Sequence, residues 1–160
     1  GGLPVGAICA KDAIMNQIAP LGGIYQAGTL SGNPLCMIAG LQTLKTAFDS
    51  KVYDYVENDI GKYLDEKVAQ FKKTSGKPVY YKRVGSIFWL CPGLSTEPKT
   101  YHDIAGNAQN ENAVAVYKSI YHTLLEKGVY LAPSVYEVSF LSLAHKKEHI
   151  DHLISALQGV

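Results

Sequence analysis

Within the first half of the chain only residues 3–9, Leu-Pro-Val-Gly-Ala-Ile-Cys, read as a strand, and no second β pattern occurs until Val79. A strand leaves a row of backbone N–H and C=O groups that must find partners. Residues 1–48 are therefore expected not to close a core of their own and to belong to a larger domain.

Helix and loop signals occupy the residues after that strand. A short amphipathic helix is expected from Lys11 to Ala19, ended by Pro20. Residues 21–34 then hold four glycines, a proline and several hydroxyl and amide side chains, the composition of a long structured loop with sharp turns. Ser31 or Asn33 can cap the helix that Pro34 opens, and Leu35, Ile38, Leu41, Leu44 and Phe48 recur at helical spacing. A second helix carries Tyr53, Val56, Ile60, Tyr63, Leu64, Val68 and Phe71 on one stripe and stops at Gly76.

From Val79 the pattern changes to β. Residues 79–81 and 86–91 are aromatic and β-branched, bounded by Gly85 and Pro92. The polar stretch 93–111 reads as loop, a helix with Val114, Tyr117, Ile120, Tyr121, Leu124 and Leu125 runs to Gly128, residues 129–131 and 138–143 read as strands, and a last helix carries Ile150, Leu153, Ile154 and Leu157. Beyond about residue 50 this order predicts a small antiparallel sheet covered by helices.

Charge excludes several partners. With 15 Lys+Arg against 14 Asp+Glu and no long basic block, no electrostatic footprint for nucleic acid or an anionic membrane is present, and the apolar runs fall far short of the ~20 residues of a membrane span. The start of the chain shows no secretory signal. Cys9, Cys36 and Cys91 are odd in number and widely spaced, which predicts reduced, buried thiols in a cytoplasmic setting. His145 and His149 have a spacing that could chelate a metal, yet Lys146 and Lys147 lie between them, and a solvated helix face is the better account; no metal site is expected. Trp89 reads as core, and Lys11 as a solvated surface lysine.

The residues point to one candidate for chemistry. Gly28, Thr29 and Ser31 place a flexible backbone and two hydroxyls just ahead of a helix N-terminus, where N–H groups and the helix dipole favour an anion such as phosphate. A capped helix entered through a glycine-rich turn fits the same residues, and neither GxGxxG nor GxxxxGK is present.

Four strings carry a resemblance: GGLPVGA at 1–7, YQAGTLSGNPL at 25–35, GVYLAPS at 128–134 and SLAH at 142–145. Together they resemble the glutamate-1-semialdehyde 2,1-aminomutases, a branch of the class III aminotransferases. The resemblance implies an α/β chain, the C-terminal part of the pyridoxal 5'-phosphate (PLP) dependent transferase fold (aspartate aminotransferase, fold type I). Residues 1–49 would be a fragment of the large domain, with a phosphate-contacting loop at 24–34 and a linking helix; residues 50–160 would be the small α+β domain with its antiparallel sheet.

It also implies an activity, the conversion of glutamate 1-semialdehyde to 5-aminolevulinate for tetrapyrrole synthesis by a cytoplasmic homodimer acting on a small-molecule substrate. Gly28 and Thr29 would contact the cofactor phosphate across the dimer interface, and Tyr25 and Glu137 the substrate. In the family's FEAGF-like segment this chain reads YEVSF at 136–140: the acid is kept and Ala-Gly is replaced by Val138-Ser139. The Schiff-base lysine is expected upstream of Gly1, so these 160 residues alone would be inactive. Another class III aminotransferase, or a non-catalytic association module, are the alternatives.

Overall fold

The computed structural model describes residues 2–49, 51–105 and 113–159. The last part of the expected polar loop, 106–111, lies outside the described residues, as do Gly1, Ser50, Asn112 and Val160. The chain divides into two units, Gly1–Ser50 and Lys51–Val160.

The second unit is built on the long apolar stripe. Helix α3 (Val52–Asp54) passes into a π-helical stretch (Tyr55–Gly61) and then into α4 (Lys62–Ser75), which Gly76 ends in a left-handed conformation. Val56, Ile60, Leu64 and Val68 recur at steps of four, and each such step overshoots a 3.6-residue turn. A stretch bonded i→i+5 winds more slowly, and this keeps Val56 and Ile60 on the face shared by Leu64, Val68 and Phe71, all of them buried. Tyr53, expected on this stripe, is exposed.

Strands β1 (Val79–Val84) and β2 (Ile87–Pro92) form an antiparallel hairpin in register Val84↔Ile87, closed by Gly85 at φ +57°. Gly85 needs no Cβ in that left-handed turn. Strand β3 (Ser139–Phe140) pairs with the start of β2, so β2 is central. Helices α5 (Tyr101–Ala105), α6 (Ala113–Glu126) and α7 (Lys147–Gln158) complete the unit. The main core joins the α4 stripe to Val79, Phe88, Leu90, Leu124, Leu141, Ile150, Leu153 and Leu157.

Several expectations are corrected. Residues 129–131 are not a strand: Gly128 (φ +76°) donates to the Leu125 carbonyl and Val129 to the Leu124 carbonyl, 3.0 and 2.8 Å, which is the Schellman ending of α6. The apolar side chains there pack on the core as part of that helix end. The strand at 138–143 shrinks to two residues, and the polar stretch after Pro92 contains α5.

One ionic cluster buttresses the hairpin. The Arg83 side chain, only 7% exposed, binds Asp65 at 2.7 Å and Glu57 at 2.8 Å, and its Nη1 also donates to the Gly85 carbonyl at 2.7 Å. Burial works to raise the Asp65 pKa, but hydrogen bonds from Arg83 and the Tyr81 hydroxyl outweigh it and hold the carboxyl below its ordinary value. Elsewhere in the unit, Lys127 Nζ donates to the Ala156 carbonyl of α7 while His152 Nε2 donates to the Lys127 carbonyl, 3.1 and 2.8 Å, locking the end of α6 to α7.

The first unit differs. Residues 3–9 form no strand and pair in no ladder among the described residues, and Leu3, Val5 and Ile8 are exposed. Short apolar runs become strands only when another strand supplies hydrogen bonds, and this unit contains none among the described residues. Helix α1 spans Asp12–Met15, shorter than expected, and α2 spans Pro34–Asp49. Leu35, Ile38, Leu41, Leu44 and Phe48, the periodic residues of α2, are all exposed.

Candidate functional site

The first unit folds its loop with little side-chain help. Between α1 and the turn, Ile24 donates to the Gln17 carbonyl and Ala19 to the Ile24 carbonyl, both at 2.9 Å. Gly22 lies so close to the Gln17 carbonyl that a Cβ there would collide with backbone. Gly40 of α2 faces Val5, where a Cβ would come within 3.1 Å of a Val5 methyl.

At the candidate turn, Ser31 N–H donates to the Gly28 carbonyl (2.9 Å) and Asn33 N–H to the Leu30 carbonyl (3.1 Å), with Gly32 at φ +71°. Asn33 is the helix cap: its Oδ1 accepts from the N–H groups of Leu35 at 3.0 Å and Cys36 at 3.3 Å. The helix N-terminus is therefore less open to an anion than its sequence implies. Two first-turn donors of α2 are already occupied by Asn33, and Met37 N–H goes to the Asn33 carbonyl at 2.9 Å. The Thr29 hydroxyl and the Thr29 and Leu30 N–H groups, in contrast, have no partner among the described residues.

Gly28, Thr29 and Ser31 line a concave cavity of about 860 Å³, together with Val5, Met15 and Cys36 among others, and no acidic side chain lines it. A Cβ on Gly28 would sit 3.1 Å from Ser31 Oγ, tight but not forbidding. Tyr25 is 84% exposed and is not a lining residue.

Glu137 belongs to the second unit and is exposed at the end of a turn, its N–H donating to the Ser134 carbonyl at 3.1 Å. The segment leading to it is tethered from three sides. Tyr117 Oη donates to the Ala132 carbonyl and Trp89 Nε1 to the Val135 carbonyl, both at 2.6 Å. The Tyr136 ring stacks on Tyr101 with centroids 4.9 Å apart and planes 9° from parallel. Burial pushes the Tyr117 hydroxyl up to about 12, so it keeps its proton and remains a donor at neutral pH.

The other sequence candidates are accounted for locally. Lys11 is exposed. His145 Nδ1 accepts from Ser142 N–H and His149 Nδ1 from Lys146 N–H, 3.0 and 3.1 Å. Among the described residues no group of three or more His, Cys, Asp or Glu side chains could hold a metal, and no helix is long and apolar enough to cross a membrane. Cys36 and Cys91 are buried, and burial pushes the Cys91 thiol up to about 11. Cys9, against expectation, is exposed, because the segment carrying it packs into no sheet.

Comparison with known proteins decides the family. The family model described as "Aminotransferase class-III" matches residues 1–160. The chain belongs to the class III aminotransferases. Among relatives of this class III chain, the glutamate-1-semialdehyde 2,1-aminomutase of Citrifermentans bemidjiense is 40% identical over 98% of this chain and 35% of its own length. That of Desulforudis audaxviator is 42% identical over 99% of this chain and 35% of its own. The chain thus spans about a third of the length of the curated relatives it matches.

Solved structures agree on the fold. An omega-transaminase from Sphaerobacter thermophilus superimposes with TM-score 0.74 at 22% identity, over 92% of this chain and 33% of that one. A transaminase with PLP bound gives TM-score 0.68 at 19% identity, over 91% and 31%. The α/β architecture with its small antiparallel sheet is therefore that of the fold-type I transferases.

Trp89 and Tyr117 do not stand out as site residues in the sequence, where they read as core and helix stripe. Their signal is weak: a polar tip on a buried aromatic says that a partner exists, not which one. Arg83 gives no sequence signal, since its carboxylate partners lie 18 and 26 residues upstream.

Proposed function

We propose that this class III chain is the C-terminal part of a PLP-dependent glutamate 1-semialdehyde aminomutase, a cytoplasmic homodimer that makes 5-aminolevulinate for tetrapyrrole synthesis. The observation that carries the reading is the set of relatives: seven proteins of that name are 36–42% identical over 96–99% of this chain. In this reading residues 1–49 are part of the large domain and residues 50–160 the small one, a division supported by the two units.

The turn at Gly28–Ser31 fits a cofactor phosphate. A hydroxyl and neighbouring N–H groups without partners among the described residues, beside a cavity free of carboxylates, suit a dianion that would be repelled by acids and would satisfy those donors. Thr29 would donate its hydroxyl and N–H to the phosphate of the neighbouring subunit's cofactor, and Gly28 would let the backbone approach. Tyr25 would line the substrate pocket, and Glu137 would hold the substrate's amino groups by charge-assisted hydrogen bonds. PLP, when bound, supplies an electrophilic carbonyl for the amino group and a ring that draws off electrons. The lysine that bonds it is expected upstream of Gly1, so the 160 residues alone are proposed to be inactive.

Two experiments test this. The full-length enzyme is expected to form 5-aminolevulinate from glutamate 1-semialdehyde with no added amino donor; strict dependence on a donor would instead make it a transaminase. In the same enzyme Thr29→Val is expected to weaken cofactor binding about 10- to 100-fold, because a hydrogen bond to a charged group is worth about 1.5–3 kcal/mol. Equilibrium dialysis showing an unchanged Kd would remove Thr29 from the phosphate site.

A further inference from the structure

The chain between the end of α6 and β3 carries Glu137 but belongs to no helix or ladder, so its shape must be set by something other than regular backbone bonding. Its internal bonds, Tyr136 N–H to Ser134 Oγ at 3.3 Å and Glu137 N–H to the Ser134 carbonyl at 3.1 Å, span only a turn. They shape the turn without attaching it to the fold.

Besides the Tyr136–Tyr101 stack, the attachment comes from two aromatic donors on different elements. Tyr117 projects from α6 and Trp89 from β2, and each gives its one polar hydrogen to a carbonyl of this segment, Ala132 and Val135. Val135 itself is 2% exposed and sits with Cys91, Ala113 and Tyr117 in a small core separate from the main one. That core seats one residue of this segment, and the next two side chains along are Tyr136, stacked on Tyr101, and Glu137, in solvent. Val135 is buried and Ala132 half-buried, and a carbonyl shielded from water needs a protein donor, so losing either bond has a cost and the pair confines the backbone from which Glu137 projects.

We infer that Trp89 and Tyr117 are positioning residues that hold the 132–137 segment and thereby set where the Glu137 carboxylate stands. This rests on the reading of Glu137 as a substrate-binding group. The clamp itself is a property of the fold and can be tested apart from it.

The test compares Tyr117→Phe, Trp89→Phe and Glu137→Gln, singly and in pairs, in the full-length enzyme, monitoring hydrogen exchange of amides 134–138 and steady-state turnover. Tyr117→Phe keeps the packed ring and removes only the donor, which guards against a mere folding defect. Faster exchange confined to these amides is expected in both clamp variants, with kcat lowered about three- to tenfold, the scale of one lost hydrogen bond. Cofactor content should be unchanged, and neither clamp substitution should lower kcat further once Glu137→Gln is present.

Unchanged exchange at 134–138 would overturn the clamp whatever the activity does. Faster exchange with turnover intact in the clamp variants, or with losses that simply add to that of Glu137→Gln, would overturn the positioning role. Faster exchange with Glu137→Gln fully active would instead refute the reading of Glu137, and the positioning role with it.

Discussion

Gly61→Ala is expected to destabilise the second unit by roughly 3 kcal/mol, although alanine in place of a helical glycine ordinarily gains up to about 1 kcal/mol. The sign reverses because of what surrounds the missing side chain. A Cβ at this position would run into the Val56 carbonyl and would lie 2.6 Å from Arg83 Nη1 and 2.7 Å from Arg83 Cζ. The carbonyl is backbone of the π-helical stretch and cannot swing aside. The guanidinium cannot easily retreat either, since it is tied to Glu57, Asp65 and the Gly85 carbonyl at once. Relief therefore means opening the π turn or tearing a charge cluster from its seat. Urea denaturation of the 160-residue chain should show a midpoint lowered by about 1–3 M, given a slope of about 1–3 kcal/mol/M. A midpoint equal to or above that of the unaltered chain would show that the glycine is not required.

The second large effect is a contrast between two identical substitutions. Leu64→Ala removes a side chain that is fully buried in the main core and should cost about 2–5 kcal/mol, combining lost burial with the cavity left behind. Leu41→Ala in the 160-residue chain should cost less than about 0.5 kcal/mol, because Leu41 is already 54% exposed. In the proposed full-length enzyme, with the α2 face covered by the rest of the large domain, Leu41→Ala should cost about 2 kcal/mol or more. Thermal unfolding of both lengths checks the pair. Equal small effects of Leu41→Ala in the two would mean that the α2 face stays uncovered.

That contrast explains which parts of the structure could be read in advance. The hairpin, the α4 and α6 helices, and the ending of α4 at Gly76 arise from local periodicity and turn chemistry. Both α2 and α4 have regular apolar periodicity, yet one is exposed and the other forms the core, since periodicity states that a face wants cover and not whether cover is present. Of the site, Gly28 and Thr29 stand out through a run of turn residues. The role of Asn33 in occupying the donors of α2 does not, because choosing between two equivalent caps depends on the actual path of the turn. Trp89, Tyr117 and Arg83 are invisible as a group, their partners being distant carbonyls and carboxylates.

By itself the amino-acid order determined the family, through strings that occur together and in sequence, and it determined every element whose boundaries are set by its own neighbours: a proline opening α2, a glycine closing α4 and another turning the hairpin. Tertiary structure alone decided whether an apolar run became a strand, which buried donor met which carbonyl, and where the helix wound more slowly to keep its stripe on one face. The physical reason is that a backbone bond within a turn is chosen locally, whereas a ladder, a buried ion pair or an aromatic tether exists only when folding brings its second half within reach.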